Sequence, residues 1–197
     1  MSLLEIRGLR THLAVLDGTA RAVDGVDLTV GQGETGGVVG ESGSGKTLLA
    51  LSILGLLPPG EGGSLPGSSI RLRGEELVGM KKGRLQKIRG SEIAMVFQEP
   101  MTSLNPVFTV GSQIKEAVEL HQKIKGRKAE GETLRLMRDV GIPDPELRMG
   151  SYPHQFSGGM RQRIMIAMAL AGEPAVLIAD EPTTALDVTT ESQILDL

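Results

Sequence analysis

Polar and apolar residues alternate through Leu4-Glu5-Ile6-Arg7 and through Val26-Asp27-Leu28-Thr29-Val30. This period of two marks half-buried strands, and Asp17-Gly18 between them is a turn signal. Three short runs are apolar without alternation and predict buried strands: Gly37-Val38-Val39, Ile93 to Phe97 and Val176 to Ala179. The first runs through a glycine-rich loop into Lys46 to Leu54, apolar nearly all round and followed by Pro58-Pro59, which reads as a buried helix. Residues 60–69 are mostly Gly, Ser and Pro and read as a loop leading to a short strand at Ile70 to Leu72. From Val110 to Ala171 the apolar spacing is helical throughout, with no strand signal and no internal repeat. Strands alternating with helices imply an α/β chain with a mainly parallel sheet, an antiparallel β edge at the N-terminus, and a helical sub-domain at 99–171 inserted into the core.

Composition narrows the functions open to such a chain. Its 197 residues carry 21 Lys and Arg against 24 Asp and Glu, a net charge of −3 that provides no general field for a nucleic acid. The aromatic residues are Phe97, Phe108, Tyr152 and Phe156, too few for a base-stacking platform. The absence of cysteine removes disulfides, thiolate metal sites and cysteine nucleophiles, and is compatible with a reducing compartment. The longest apolar stretches, Leu48 to Leu57 and Ile164 to Ala171, fall short of the roughly 18 residues a membrane span needs and read as core helices. Glu5, Arg7 and Arg10 interrupt any leader-like apolar run, so the chain is expected to stay on the side where it is made. The 27 glycines cluster at 31–45, 60–67 and 158–159, where they shape backbone at particular places.

Gly40-Glu41-Ser42-Gly43-Ser44-Gly45-Lys46-Thr47 fits G-x-x-x-x-G-K-[ST] between a predicted strand and a predicted helix. In such a loop the glycines let backbone N–H groups turn onto a phosphate, Lys46 reaches the terminal phosphates and the Thr47 hydroxyl is placed for Mg²⁺. A phosphate loop of this kind needs a carboxylate at the end of a neighbouring strand, and Val176 to Ala179 delivers Asp180 and Glu181. Asp180 would orient the metal and Glu181 could polarise the attacking water. Acidic residues also follow strands as plain turn formers, and Pro182 fits that reading too. Ser157-Gly158-Gly159 opens a helix through Leu170 and forms a second anion-ready N-terminus, although a capped helix alone would account for it.

Taken together, the loop at 40–47, Gln98 after a strand, Phe156-Ser157-Gly158-Gly159-Met160 with Arg161-Gln162-Arg163, Asp180-Glu181 and Ala185-Leu186-Asp187 resemble the ATPase subunit of an ABC transporter. Three longer stretches, Phe97 to Pro106, Tyr152-Pro153-His154-Gln155 and Ala179 to Thr189, are similar to the dipeptide, oligopeptide and nickel importer branch. The similarity runs from about Leu3 to the last residue. It implies a P-loop NTPase core formed by 1–98 and 172–197, with 99–171 as the helical sub-domain carrying the signature motif. It implies ATP and Mg²⁺ as ligands and a head-to-tail dimer with an identical or homologous subunit. ATP would lie between Gly40–Thr47 of one subunit and Ser157 to Gly159 of the partner subunit, with Asp187 at the seam. Gln98 would be the residue that senses metal and water and joins Lys46 and Glu181 in catalysis. Near 99–106 and the helical sub-domain, transmembrane permease subunits would dock, placing the chain in the cytoplasm on the inner face of the membrane. An external solute-binding protein would be an indirect partner, and the solute is left open among peptides, nickel, glutathione and sugars.

The resemblance has two departures. No aromatic residue precedes Phe97 to stack on adenine, which leaves His12, Leu13 or an unstacked base and predicts weak discrimination between ATP and GTP. The family's switch histidine lies beyond the acidic pair, whereas the histidines here are His12, His121 and His154, so the chain reads as a truncated ATPase domain. Two other readings stay open: a fragment that binds nucleotide without turning it over, and a non-transport ATPase of DNA maintenance. The latter calls for a coiled-coil insertion with sustained heptads, and none occurs between Gln98 and Ser157. A GTPase is weaker still, because the chain has no Asn-Lys-x-Asp motif.

Overall fold

The computed structural model describes residues 2–15, 18–57, 62–99 and 103–182. The chain divides into two compact units, residues 1–89 and 90–197.

In the first unit β1 (Ser2–Val15) and β2 (Gly18–Gly31) form an antiparallel hairpin that closes at the Val15–Gly18 pair. β3 (Gly62–Ser64) and β4 (Ser69–Leu72) also pair with β1, and β5 (Glu75–Glu76) pairs with β4, giving a five-stranded antiparallel sheet. The alternation read from sequence holds at first: Leu4 and Ile6 are buried, with Glu5 and Arg7 on the other face. A bulge between Ile6 and Leu9 then shifts the parity, so that Leu9 and Thr11 face inward, both fully buried. Gly8, at φ +52, supplies the left-handed residue this bulge requires, and its N–H donates to Asp27 Oδ1 at 2.7 Å.

Helix α1 (Lys46–Leu54) buries Leu49, Ala50, Ile53 and Leu54 in this unit. The Thr11 and Ser52 hydroxyls, 2.8 Å apart and buried, tie it to β1. Ser52 donates onward to the Leu48 carbonyl at 2.5 Å, which leaves Thr11 as the donor of the pair. Gly55, at φ +60, terminates α1 by donating to the carbonyls of Leu51 and Ser52. The short helix α2 (Lys82–Ile88) follows, and Arg89 donates to the Leu54 and Gly55 carbonyls at 2.8 and 2.7 Å, covering the last turn of α1.

The second unit contains the parallel pair β6 (Ile93–Val96) and β7 (Val176–Ala179) and the helices α3 (Val110–Gln122), α4 (Arg127–Asp139), α5 (Pro145–Arg148) and α6 (Gly158–Leu170). Its core joins Val96 of β6 to Ile114 and Val118 of α3, Leu136 and Met137 of α4, and Ile164 of α6. α4 buries Ala129, Thr133, Leu136 and Met137, one stripe at helical spacing, while its outer face pairs Arg135 with Glu132 and Asp139. Among the described residues no helix is long and apolar enough to cross a membrane.

The expected strand at 37–39 does not form. Residues 35–41 are irregular, Val39 is 94% exposed and Val38 half-exposed. Its three residues are flanked by Gly36 and Gly40, whose backbone entropy opposes extension, and among the described residues no strand pairs with the segment to satisfy its N–H and C=O groups. Conversely, 62–64 lies in the expected loop but forms a strand, because its glycines fit against β1 where larger residues would not. A Cβ on Gly62 would lie 2.4 Å from the His12 carbonyl oxygen.

Candidate functional site

In the first unit the loop 40–47 leads directly into α1. Gly45 is the N-cap at φ 95, ψ 8, and no side chain caps the helix. By contrast α3 is capped by Thr109, which accepts from the Ser112 N–H, and α6 by Ser157, which accepts from the Met160 N–H at 3.3 Å. An α-helix begins with N–H groups that have no intrahelical acceptor, so an uncapped start concentrates donors and dipole on an incoming anion. The loop also approaches its surroundings more closely than any residue with a Cβ could. A Cβ on Gly45 would lie 2.2 Å from the Ala22 carbonyl oxygen of β2, and one on Gly40 would lie 2.6 Å from Ser44 Oγ. Lys46 Nζ donates to the carbonyls of Gly40 and Glu41 at 2.9 and 3.0 Å, folding the cation over the loop it belongs to. Glu41, Ser42, Gly43, Ser44 and Thr47 are exposed. The loop and β2 together wall a cavity of about 450 Å³ that Asp24, Asp27, Val38 and Leu49 also line.

In the second unit the parallel register carries the polar residues past the strand ends. Val96 stands opposite Ala179, and the Asp180 N–H donates to the Val96 carbonyl at 3.0 Å, which buries Asp180 at 7% exposure. One residue further, Glu181 is exposed and has φ +44, a left-handed conformation that costs a residue with a Cβ roughly 1–2 kcal/mol. Its Oε2 accepts from Gln98 Nε2 at 3.0 Å, so two of the residues predicted for the site meet directly. Ser157, Gly158 and Gly159 form the start of α6 in the same unit, the first two exposed and Gly159 partly buried, with the Ser157 hydroxyl serving as its cap. Asp187 lies outside the described residues.

The donors named from sequence for a metal, the Thr47 hydroxyl, the Gln98 amide and the Asp180 carboxylate, are all oxygen donors of the hard type. The described residues contain no group of three or more His, Cys, Asp or Glu that could hold an ion by themselves. Oxygen donors of this type suit Mg²⁺, which keeps several waters and takes phosphate oxygens.

The family model for the ABC transporter matches residues 23–184. The chain belongs to the ABC transporter family. Among curated relatives, a probable peptide ABC transporter ATP-binding protein, y4tR of Sinorhizobium fredii, is 51% identical over 99% of this chain and 58% of its own length. The dipeptide transport ATP-binding protein DppD of Bacillus subtilis is 49% identical over 98% of this chain and again 58% of its own. This chain therefore spans a little under three-fifths of these ABC relatives. Among solved structures, the dimeric post-hydrolysis state of the ATP-binding cassette MJ0796 bound to ADP and Pi superposes with a TM-score of 0.85. It is 26% identical and is matched over 98% of this chain and 80% of that one. The expected α/β, P-loop NTPase class thus holds, alongside the corrected segment at 37–39.

The sequence did not single out Gln113, which is buried in the first turn of α3 and organises the stretch after Gln98 in this ABC chain. Its Oε1 accepts from the Asn105 N–H at 2.9 Å, and its Nε2 donates to the carbonyls of Asn105 and Phe108 at 3.0 and 3.1 Å. The available signal was a glutamine at a position of α3 adjacent to Ile114, where the helical spacing calls for an apolar residue. The stretch it holds presents Val107 and Phe108, 70% and 54% exposed.

Proposed function

We propose that this chain is the nucleotide-binding part of an ATP-driven importer subunit, which binds Mg²⁺-ATP and, in the whole protein, hydrolyses it to ADP and phosphate to move a peptide or related solute. The observation that carries this reading is the uncapped start of α1, a glycine-built anion cradle with Lys46 folded over it. Gly40 to Thr47 hold the phosphates, Lys46 neutralises charge on the γ-phosphate, and Thr47, Asp180 and Gln98 take the Mg²⁺, which supplies further charge neutralisation when bound. Glu181 orients the attacking water. The second half of the site is Ser157 to Gly159 of the partner subunit, an identical or homologous ATPase, with Asp187 at the seam. Residues 1–98 and 172–197 act as the nucleotide core and 99–171 as the helical sub-domain.

The exposed Val107 and Phe108 support docking of transmembrane permease subunits beside the helical sub-domain, on the cytoplasmic face of the membrane. An external solute-binding protein would deliver the solute. The names of the relatives support peptides as its class.

The test is thermal unfolding with and without millimolar Mg²⁺-ATP, since a ligand bound only by the folded state raises its stability by mass action. The melting temperature is expected to rise in the parent chain and to stay put in Lys46→Ala. An unmoved parent would overturn the phosphate-cradle reading. In the whole protein, hydrolysis is expected to exceed that of the 197-residue chain and to disappear in Glu181→Gln.

A further inference from the structure

Helices α3 and α4 pack on each other as a hairpin, and its turn carries a run of cations. Lys123, Lys125, Arg127 and Lys128 are all exposed, and among the described residues none of their side chains makes a hydrogen bond or ion pair. The ion pairs of the hairpin engage other cations: Lys115 with Glu119, Arg135 with Glu132 and Asp139, and Arg138 with Glu146 of α5. The chain as a whole has a net charge of −3, so this positive tip is a local departure from its average. Helix electrostatics does not account for it. Arg127 and Lys128 occupy the first turn of α4, where the peptide dipoles already present positive charge and the Gly126 N-cap offers no side-chain acceptor. Lys123 holds the C-cap of α3 at φ +57, a conformation that favours glycine. An external anion relieves both the repulsion among the four cations and their conflict with the dipole of α4.

We infer that the α3–α4 tip is a docking surface for anionic lipid headgroups, with Lys123, Lys125, Arg127 and Lys128 reaching their phosphates and Leu120 entering the headgroup layer. Leu120 decides between anionic partners. It lies in the last turn of α3, just before Lys123, and is 69% exposed. A bilayer surface takes cations and an apolar side chain together, whereas a nucleic acid gives a leucine nothing to bury against. The hairpin also has no aromatic residue to stack on a base. Ile124 packs against the core and anchors the turn, while its neighbours Lys123 and Lys125 stay exposed. The inference rests on the proposed place of the chain at the cytoplasmic face of a membrane, and adds a contact with the lipid itself, separate from the permease.

The experiment co-sediments the 197-residue chain with vesicles of phosphatidylglycerol and phosphatidylcholine mixed at roughly one to two, and with phosphatidylcholine vesicles alone. The chain is expected to bind the anionic vesicles only, and to come off when salt shortens the Debye length to about 3 Å. Each cation near such a surface changes partitioning about fivefold, so Lys125→Gln/Lys128→Gln should bind at least about tenfold more weakly. Lys81→Gln/Lys82→Gln removes two exposed lysines of the first unit and should stay within about threefold of the parent, because charges away from the contact are screened. Leu120→Ser should weaken binding at least about threefold, since apolar burial adds to charge attraction. Equal losses in the two lysine pairs, an unaffected Leu120→Ser, or an absence of binding to anionic vesicles overturns the inference. Capture of a polyglutamate peptide through the same lysines without binding of anionic vesicles assigns the tip to an acidic protein partner and overturns it as well. The thermal shift with Mg²⁺-ATP is read on the same samples. A shift without vesicle binding leaves the nucleotide reading standing and removes the lipid surface, and vesicle binding without a shift does the reverse.

Discussion

Replacing Gly45 by alanine separates the two demands the phosphate loop places on its glycines. Gly45 sits at φ +95 and its added Cβ would meet the Ala22 carbonyl oxygen at 2.2 Å and the carbonyl carbon at 3.3 Å. The left-handed backbone costs an alanine about 1–2 kcal/mol. Ala22 lies within β2, which is paired to β1 on either side of that position, so the loop must shift rather than the strand. Overpacking against fixed backbone adds about 1–3 kcal/mol, for a total of roughly 2–5 kcal/mol. Gly43 is the internal control: it has φ +79, but nothing lies within 4 Å of its added Cβ, so Gly43→Ala should cost about 1–2 kcal/mol from the backbone alone. Urea unfolding of both variants at neutral pH gives the stability difference, and titration with a fluorescent ATP analogue gives the affinity. Gly45→Ala should unfold at lower urea than Gly43→Ala and bind the analogue at least about tenfold more weakly, a difference of about 1.4 kcal/mol. Equal midpoints and equal affinities in the two variants would refute the argument that the loop is braced on β2.

Gln113→Leu keeps the size of a buried side chain but removes three hydrogen bonds to Asn105 and Phe108. It should destabilise the second unit by about 2–3 kcal/mol and speed proteolytic cleavage at 105–108, read by denaturation and limited digestion. Glu76 gives a pH signature. Burial raises its carboxyl pKa, but donors from Ser69, the Ile70 and Val78 N–H groups and Arg71 outweigh that and hold it below 4.5. A depressed folded pKa stabilises above the unfolded value, and that contribution is lost as pH falls through the folded one. Glu76→Gln should therefore be less stable than the parent at pH 7, and the gap should close as denaturation is repeated at progressively lower pH below 4.5.

The elements legible in the sequence are those in which pattern and environment agree. Leu4 to Arg7 alternate and are half-buried, Lys46 to Leu54 are apolar and form a helix in the core, and Val176 to Ala179 pair with Ile93 to Val96 in parallel. The inward face of β1 beyond Gly8 was not legible, because a bulge shifts the parity and only a positive φ at one glycine announces it. Gly62 to Ser64 carry no strand propensity at all and pair because β1 offers backbone at a distance that excludes side chains. In the candidate site the loop at 40–47 was legible from spacing, since each residue type there answers a requirement of phosphate binding. The meeting of Gln98 with Glu181 was not, because it depends on register between strands 83 residues apart.

The loop at 40–47 and the strand-end residues are built from different material, and mutation should affect them differently. In the proposed function the loop at 40–47 binds phosphate through backbone N–H groups, so its side chains would matter chiefly by their absence. A Cβ added at Gly45 would lie 2.2 Å from the Ala22 carbonyl oxygen and one at Gly40 would lie 2.6 Å from Ser44 Oγ, while Ser42 is exposed. Charge changes at Glu41 or Ser42 leave those donors where they are, whereas a single methyl at Gly45 moves them. The strand-end residues behave in the opposite way. Asp180 makes a ladder hydrogen bond that any residue except proline can make, and Glu181 accepts a side-chain hydrogen bond from Gln98, so the roles proposed for them depend on the head group. Under the proposed function an isosteric change such as Glu181→Gln should preserve the fold and remove turnover. At Gly45 the smallest possible side chain displaces the loop itself, so no substitution there can separate binding from structure.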